Sequence, residues 1–470
     1  MRHTITKPAA SVVHPADAAC ALGRDMQLLK IPSPSDSHAS SILPKVAHGK
    51  GIHVYDRTGK RYIDASGGPA VFCLGHGNEE VNAAIKRQLD LIAHGYRFTF
   101  TSDPLEELRE LVAGACGSSL NEMIFVCSGS EAVESALKIA LQYHAARGER
   151  TRRRFISRRR SWHGNTLGAL SVSDFLERRA PFEGALIEAS FLPAVGTYRA
   201  PPGMTAHDVA RDGVAQLEAE ILRLGAENVA GFIFEPVVGS AGGVVPAPPG
   251  YAHGVRETCD RHGVLMLADE VMCGSGRCGT WRALQHENVA PDIMAVAKGL
   301  GGGYIPLGAT IYRREIAAVL QLHDGGPLTG HTFTGHTTAC AAAVAVQTIV
   351  RRDRLLDHVR DAGLKFMDML VTSLADIAAV GDIRGRGFFI GVEFVADRET
   401  REPHAPELQI ASRIGYAAAQ NGLLVYPSSG NVDGRRGDTV ILSPPYDTPL
   451  NQLEAIADLF ARSVRDALRV

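Results

Sequence analysis

An α/β fold with a mainly parallel central sheet is what this 470-residue sequence predicts. Three stretches carry the prediction: Val229-Ala-Gly-Phe-Ile-Phe-Glu235, Val264-Leu-Met-Leu-Ala-Asp269 and Ile293-Met-Ala-Val-Ala-Lys298. Each is an apolar run of strand length that ends in an ionisable residue. Open α/β sheets place ligand chemistry just beyond the carboxyl ends of their strands. An isolated acid or lysine after a strand is ordinarily a cap or a solvated loop residue. Here the combination is what matters. A lysine followed by Gly299, Gly301, Gly302 and Gly303 can approach an aldehyde closely, and an acid on a neighbouring strand can pair with a ring nitrogen.

The length exceeds that at which one core keeps growing, so at least two domains are expected. Lysine and arginine number 49 against 51 acids, for a net charge of −2. That balance recruits neither nucleic acid nor an anionic membrane. Apolar residues make up 45% and no run reaches membrane-spanning length, which predicts a soluble protein. The amino terminus lacks a signal peptide's apolar core, so the expected location is cytoplasmic. Eight cysteines are scattered without a zinc-type C-x-x-C pair, so reduced thiols and no metal site are expected.

Residues 1–43 mix Pro, Ser, Ala and His around one helical piece, Ala18 to Leu29, and read as an amino-terminal arm. Ile52–Asp56 and Arg61–Asp64 flank an Arg57-Thr-Gly59-Lys turn and predict a hairpin. Helices are expected over Glu79–Ile92 and Val133–Tyr143, the second after the strand Met123-Ile-Phe-Val. Between that strand and helix, Ser128-Gly129-Ser130-Glu131 has capping-box spacing. A helix amino terminus with free N–H groups and hydroxyls beside a glycine is also a phosphate cradle. Seven arginines between Arg150 and Arg160 surround a short strand, Phe155-Ile-Ser157, and read as its solvated flanks. Residues 174–227 read as loop-rich until a helix over Val214–Leu224. Further helices are expected over Ala339–Arg351 and Leu450–Leu468, with a strand over Phe388–Phe394.

Asp269-Glu270-Val271, Gly276-Arg277-x-Gly279 and Ala297-Lys298-Gly299-Leu300 together resemble the class III (omega-type) aminotransferases. Ser128-Gly-Ser-Glu-Ala132, Trp162-His-Gly164 and Glu235-Pro-Val237 extend the resemblance from about Gly51 to Pro445. It implies a type I pyridoxal-phosphate fold, with a large domain over 96–338 and a smaller α/β domain built from 44–95 and 339–470. It also implies pyridoxal 5'-phosphate as cofactor, with Lys298 holding the aldehyde as an imine and shuttling protons. Asp269 would keep the pyridine nitrogen protonated. Gly129 and Ser130 would cradle the phosphate, and Trp162 and Val271 would sandwich the ring. The family usually has Tyr or Phe where Trp162 stands. His163 would orient its neighbours, Glu235 would help to place cofactor and aspartate, and Thr332 would reach across a homodimer to the phosphate of the second site.

The substrate wall implied by the resemblance includes Phe72, Asn165 and Ser240. Ornithine- and GABA-type members carry an arginine and a glutamate at the last two positions, and a bidentate carboxylate clamp cannot be built from Asn and Ser. The omega-amino acid or amine–pyruvate subgroup looks similar at both. Where that subgroup usually has its switching arginine this chain reads Leu424-Val-Tyr426-Pro427, and the arginines available, Arg435 and Arg436, lie in the inserted Gly430–Asp438 loop, as swinging clamps or as surface residues. The expected reaction is ping-pong transfer of an amino group from an omega-amino acid or amine to a 2-oxo acid, pyruvate first. A racemase or decarboxylating aminotransferase of the same family, and a non-catalytic dimeric scaffold, stay open as alternatives.

Overall fold

The computed structural model describes residues 43–117 and 119–469. The predicted arm and its helical piece at Ala18 to Leu29 therefore lie outside the described residues, apart from residue 43. The chain begins with β1 (Val46–Lys50), β2 (His53–Asp56) and β3 (Arg61–Asp64), paired antiparallel in turn. Asp56 makes the predicted turn, with one carboxylate oxygen accepting from the Thr58 and Lys60 N–H groups.

Seven strands form the central sheet: β4 (Leu120–Val126), β5 (Arg154–Arg158), β6 (Ala189–Leu192), β7 (Val229–Phe234), β10 (Leu265–Asp269), β11 (Ile293–Val296) and β12 (Gly308–Arg313). A short ribbon, β8 (Val237–Val238) with β9 (Val245–Pro246), interrupts that series. The spatial order is β4-β12-β11-β10-β7-β5-β6, and β12 alone runs against its neighbours. Successive residues of the inner strands face opposite cores. Ile233, Leu267 and Ile293 pack with the Gly129–Ala146 and Arg314–Asp324 helices, while Phe232, Met266 and Met294 pack with Ala206–Leu224 and Tyr251–His262. Burial on both faces is why these strands read as unbroken apolar runs.

The remaining sheet, β13 (Val380–Arg386), β14 (Phe389–Phe394), β16 (Tyr426–Ser429) and β17 (Asp438–Leu442), is antiparallel, and β15 (Leu423–Leu424) joins the amino-terminal hairpin beside β3. Ile63 and Leu74 share one core with Phe366, Phe388, Leu423 and Phe460, so the two ends of the chain fold together. Arg277, wholly buried, ties the β10 loop to this lobe. Its guanidinium donates to the Pro444 and Phe388 carbonyls and stacks on Tyr446 at 4.7 Å.

Three expectations need correction. The helix expected from Val214 begins at Ala206, because Thr205 and Asp208 form a reciprocal capping box eight residues earlier. The loop-rich 174–227 stretch contains β6, an edge strand of only four residues, Ala-Ser-Phe-Leu, too short to show a period although Pro193 follows it directly. The Ser128 side chain caps the Glu131 N–H as predicted, but the Glu131 carboxylate returns to the Cys127 N–H at 2.7 Å instead of to residue 128. Among the described residues, no helix is long and apolar enough to cross a membrane.

Candidate active site

β10 and β11 lie parallel with Asp269 opposite Ala295, so their ends deliver Asp269 and, two residues past Val296, Lys298 to one edge of the sheet. Lys298 has φ +46°, a left-handed conformation uncommon for a residue with a side chain. It lies in a cleft of about 300 Å³ lined also by Val71, Ser128, Gly129, Gly303 and Leu307. The side chain is partly buried. Burial pushes its amine down to about 8, against the pull of the Asp269 and Glu235 carboxylates, and Arg277 adds to the lowering. A lysine so depressed has a substantial neutral, nucleophilic fraction near neutral pH.

Asp269 is 4% exposed and fixed through both oxygens. One accepts from the Val271 N–H at 2.9 Å, the other lies 2.7 Å from His163 Nδ1. An ionised carboxylate only accepts, so this pairing places the imidazole hydrogen on Nδ1. His163 Nε2 then faces the Ser157 hydroxyl at 3.4 Å, and the Ser173 hydroxyl accepts the residue's backbone N–H at 2.8 Å. Buried Glu235 links two further segments, accepting from the Trp162 N–H at 3.0 Å and from the Gly239 N–H at 2.7 Å. Burial raises its carboxyl, the Asp269 charge adds to that, and His163 opposes it. The adjacent Glu270 is spent elsewhere: its carboxylate accepts the Ala283 and Leu284 N–H groups, and burial lifts it to about 7.

The Ser128–Ser130 turn closes the cleft from another side. A Cβ at Gly129 would sit 2.9 Å from Val271 Cγ1, so only glycine lets the helix start lie against that side chain. Gly164, at φ +134°, would place a Cβ 2.6 Å from the Ser130 hydroxyl. That hydroxyl accepts the Asn165 N–H at 2.9 Å. The His163-Gly-Asn165 loop therefore rests directly on the helix amino terminus. Free N–H groups, a serine hydroxyl and a glycine at a helix start suit a phosphate. An amine and a phosphate cradle lining one cleft, with a buried acid at the end of the adjacent strand, fit pyridoxal phosphate.

The outer residues are less convergent. Phe72 is wedged between Gly68 and Gly303 and lies 4.7 Å from the His76 ring. Trp162, partly buried, meets Phe175 edge-on at 5.6 Å and carries the Arg178 guanidinium over its face at 5.0 Å. Ser240 is buried, and its carbonyl accepts from the Ser428 hydroxyl. Thr332 is exposed, with its carbonyl 3.3 Å from His94 Nε2. Arg436 is not brought to this group. Exposed, it pairs with Asp433 at 2.7 Å and with Glu402 at 2.9 Å, so its guanidinium is engaged at the surface. Sequence reasoning missed Ser157 and Ser173 behind His163. Their only signal is small polar residues at the ends of apolar segments.

Fold and site together fit a pyridoxal-phosphate enzyme that handles amino groups. The class-III aminotransferase family model matches residues 35–464, and the chain belongs to that family of pyridoxal-phosphate-dependent transaminases. An uncharacterised aminotransferase of Bacillus subtilis is 38% identical over 90% of this chain and 96% of its own length. An adenosylmethionine-8-amino-7-oxononanoate aminotransferase of Nitratidesulfovibrio vulgaris is 34% identical over 86% and 74%. Among solved structures, a PLP-bound amine transaminase from an uncultivated Pseudomonas species superposes with a TM-score of 0.85, at 34% identity over 93% of this chain and 98% of that one. An (S)-enantioselective omega-transaminase from Thermomicrobium roseum gives 0.86, at 30% identity over 96% and 99%.

Proposed function

We propose that this chain moves an amino group from an omega-amino acid or simple amine to a 2-oxo acid, with pyruvate as the acceptor, in two half-reactions. The observation that carries the reading is that Lys298 and the Ser128–Gly129 turn line one cleft, while the neighbouring parallel strand ends in Asp269, paired with His163 at 2.7 Å. Pyridoxal phosphate, when bound, supplies the electron sink. Lys298 would supply the amine that holds its aldehyde and, when freed by an amine substrate, the base that moves a proton between the substrate carbon and the former aldehyde carbon. Asp269 would hold a proton on the ring nitrogen, and His163 keeps the carboxylate in register. Gly129 and Ser130 would hold the phosphate, while Glu235 fixes the Trp162 and Gly239 backbone.

The substrate class follows from what stands at the wall. Asn165 and Ser240 offer no guanidinium or carboxylate where ornithine- and GABA-type relatives carry theirs, and two structural neighbours are named amine transaminase and omega-transaminase. We also assign the face around Thr332 to a second copy of the chain. Its carbonyl meets His94, whose ring lies 6.0 Å from that of exposed Phe333, and Tyr96, Phe98, Phe100 and Leu328 are exposed nearby in sequence. Apolar patches of that kind mark protein interfaces.

The test is a half-reaction. Holoenzyme is mixed separately with β-alanine, taurine, GABA, a primary amine and L-alanine without an acceptor, and its absorbance followed. Conversion of the bound cofactor to its pyridoxamine form, reversed by pyruvate, is the expected result. A cofactor that stays in its aldehyde form while the amino acid racemises or releases carbon dioxide would move the chain to the racemase or decarboxylase branch. Steady-state lines that intersect when both substrates are varied would contradict the ping-pong order.

A further inference from the structure

A second cavity, of about 550 Å³, shares no lining residue with the Lys298 cleft. It opens between Arg158–Arg160 at the end of β5, the 194–199 loop, the Val245–Pro249 turn and the end of β13. Val195, Val245, Pro248, Met367 and Ile383 give it an apolar wall. Six arginines also line it, against one acid, Glu393. A concavity of this size, largely apolar with a few convergent polar groups, is what small organic ligands occupy.

The ion pairs do not neutralise this wall. Glu393 is shared between Arg199, at 2.5 Å, and Arg384, at 2.6 Å, and Asp382 adds a second carboxylate to Arg384 at 2.9 Å. Asp174 takes Arg160 at 2.5 Å and lies 3.9 Å from Arg159. Three carboxylates thus face six guanidiniums. Arg158, 2% exposed, donates to the Glu235 carbonyl at 2.6 Å, and its Nη1 has no partner among the described residues. The Phe234 and Tyr251 rings lie 5.3 and 5.4 Å from its charge and stabilise it only in part. Arg159 is solvated, its side chain 60% exposed, but the charge of buried Arg158 has no carboxylate beside it among the described residues, and a buried cation raises free energy unless an anion accompanies it. Two further lining groups, the Tyr198 hydroxyl and Asn431 Oδ1, are buried without a partner among the described residues. Orphaned buried polar atoms are rare and each needs an explanation.

The geometry points to a binding site for a small amphiphilic carboxylate, an aliphatic or aromatic acid whose body lies on the apolar wall and whose charge meets the Arg158–Arg160 and Arg384–Arg386 edges. The Tyr198 hydroxyl is a neutral donor for the same group. An occupant bears on the active site through backbone. Arg158 holds the Glu235 carbonyl, and Arg384 holds the Val244 carbonyl at 3.0 Å and the Gly242 carbonyl at 3.3 Å, on either side of Ser240. The site does not depend on the reading of the Lys298 cleft.

Isothermal titration of the holoenzyme with sodium octanoate tests it, beside n-octanol as the apolar body alone and inorganic phosphate as the charge alone. Two variants outside the catalytic machinery, Arg386→Gln and Ala194→Trp, remove a cation and fill the cavity, and their melting curves report folding. The expected result is one octanoate per chain, bound about tenfold more weakly by Arg386→Gln and not measurably by Ala194→Trp, with neither octanol nor phosphate matching it. No octanoate binding by the wild type overturns the proposal. So does an affinity unchanged in both variants, which places the acid in the Lys298 cleft or elsewhere. Phosphate or octanol binding as tightly as octanoate overturns the amphiphilic class.

Discussion

The floor of the Lys298 cleft and its outer wall are built by different means. On the floor, Asp269 and Lys298 come from the ends of adjacent parallel strands, and hydrogen bonds to Val271 and His163 fix both oxygens of the carboxylate. The residues of the expected substrate wall, Phe72, Asn165 and Ser240, come from loops far apart in sequence, and Asn165 is exposed. Strand ends buried on both faces of the sheet are held by the whole core, whereas loop residues are held by local contacts. Under the proposed function, the difference puts the chemistry on the sheet and the substrate choice on the loops.

Substitutions break or sharpen that contrast. Asp269→Asn keeps the shape of the floor but removes its charge. It is expected to lower kcat by roughly 10² to 10⁴ while the melting temperature stays close to that of the wild type. A loss below about tenfold would deny the aspartate its place in the floor. The next effect is in pH. The neutral amine of Lys298 is the form that adds to an aldehyde, and burial lowers its pKa to about 8. The rate at which apoenzyme takes up pyridoxal phosphate, followed by absorbance, should therefore rise about tenfold between pH 7 and 9 and then level off. A rate still climbing through the ordinary lysine range would contradict the lowering.

Wall substitutions are expected to act on selectivity. Phe72→Ala opens space beside Gly303 and should shift the kcat/KM ratio between a bulky amine and L-alanine by roughly tenfold, with cofactor affinity little changed. Comparable loss for both donors would make Phe72 part of the floor. Arg436→Ala is the smallest effect: the side chain is exposed and held by Asp433 and Glu402, so KM for pyruvate should stay within about twofold. A large rise in that KM would show the arginine leaving its surface partners for the substrate.

The same contrast explains what the sequence could disclose. Continuous apolar runs ending in Asp269 and Lys298 are visible because both faces of those strands are buried and the period disappears. The helix start at Ser128 is visible because capping chemistry is local. The helix start at Ala206 was equally local, and Thr205 with Asp208 is a signal that could have found it. Other features depend on segments that meet only in the fold. Arg277 reaches carbonyls at Phe388 and Pro444, and Glu402 meets Arg436 across 34 residues. The arginines of the 150–160 stretch read as solvated flanks, yet Arg158 and Arg160 are buried, and only the folded chain shows what faces them.

The central claim is that Lys298 is the residue that holds the cofactor. Reduction of the holoenzyme with sodium borohydride, followed by proteolysis and mass spectrometry of the peptides, tests it directly. The account predicts a phosphopyridoxyl group on the peptide carrying Lys298, in stoichiometric amount, and none in Lys298→Ala. The group on a different lysine, or an unlabelled chain that still turns over amine and 2-oxo acid, would contradict it.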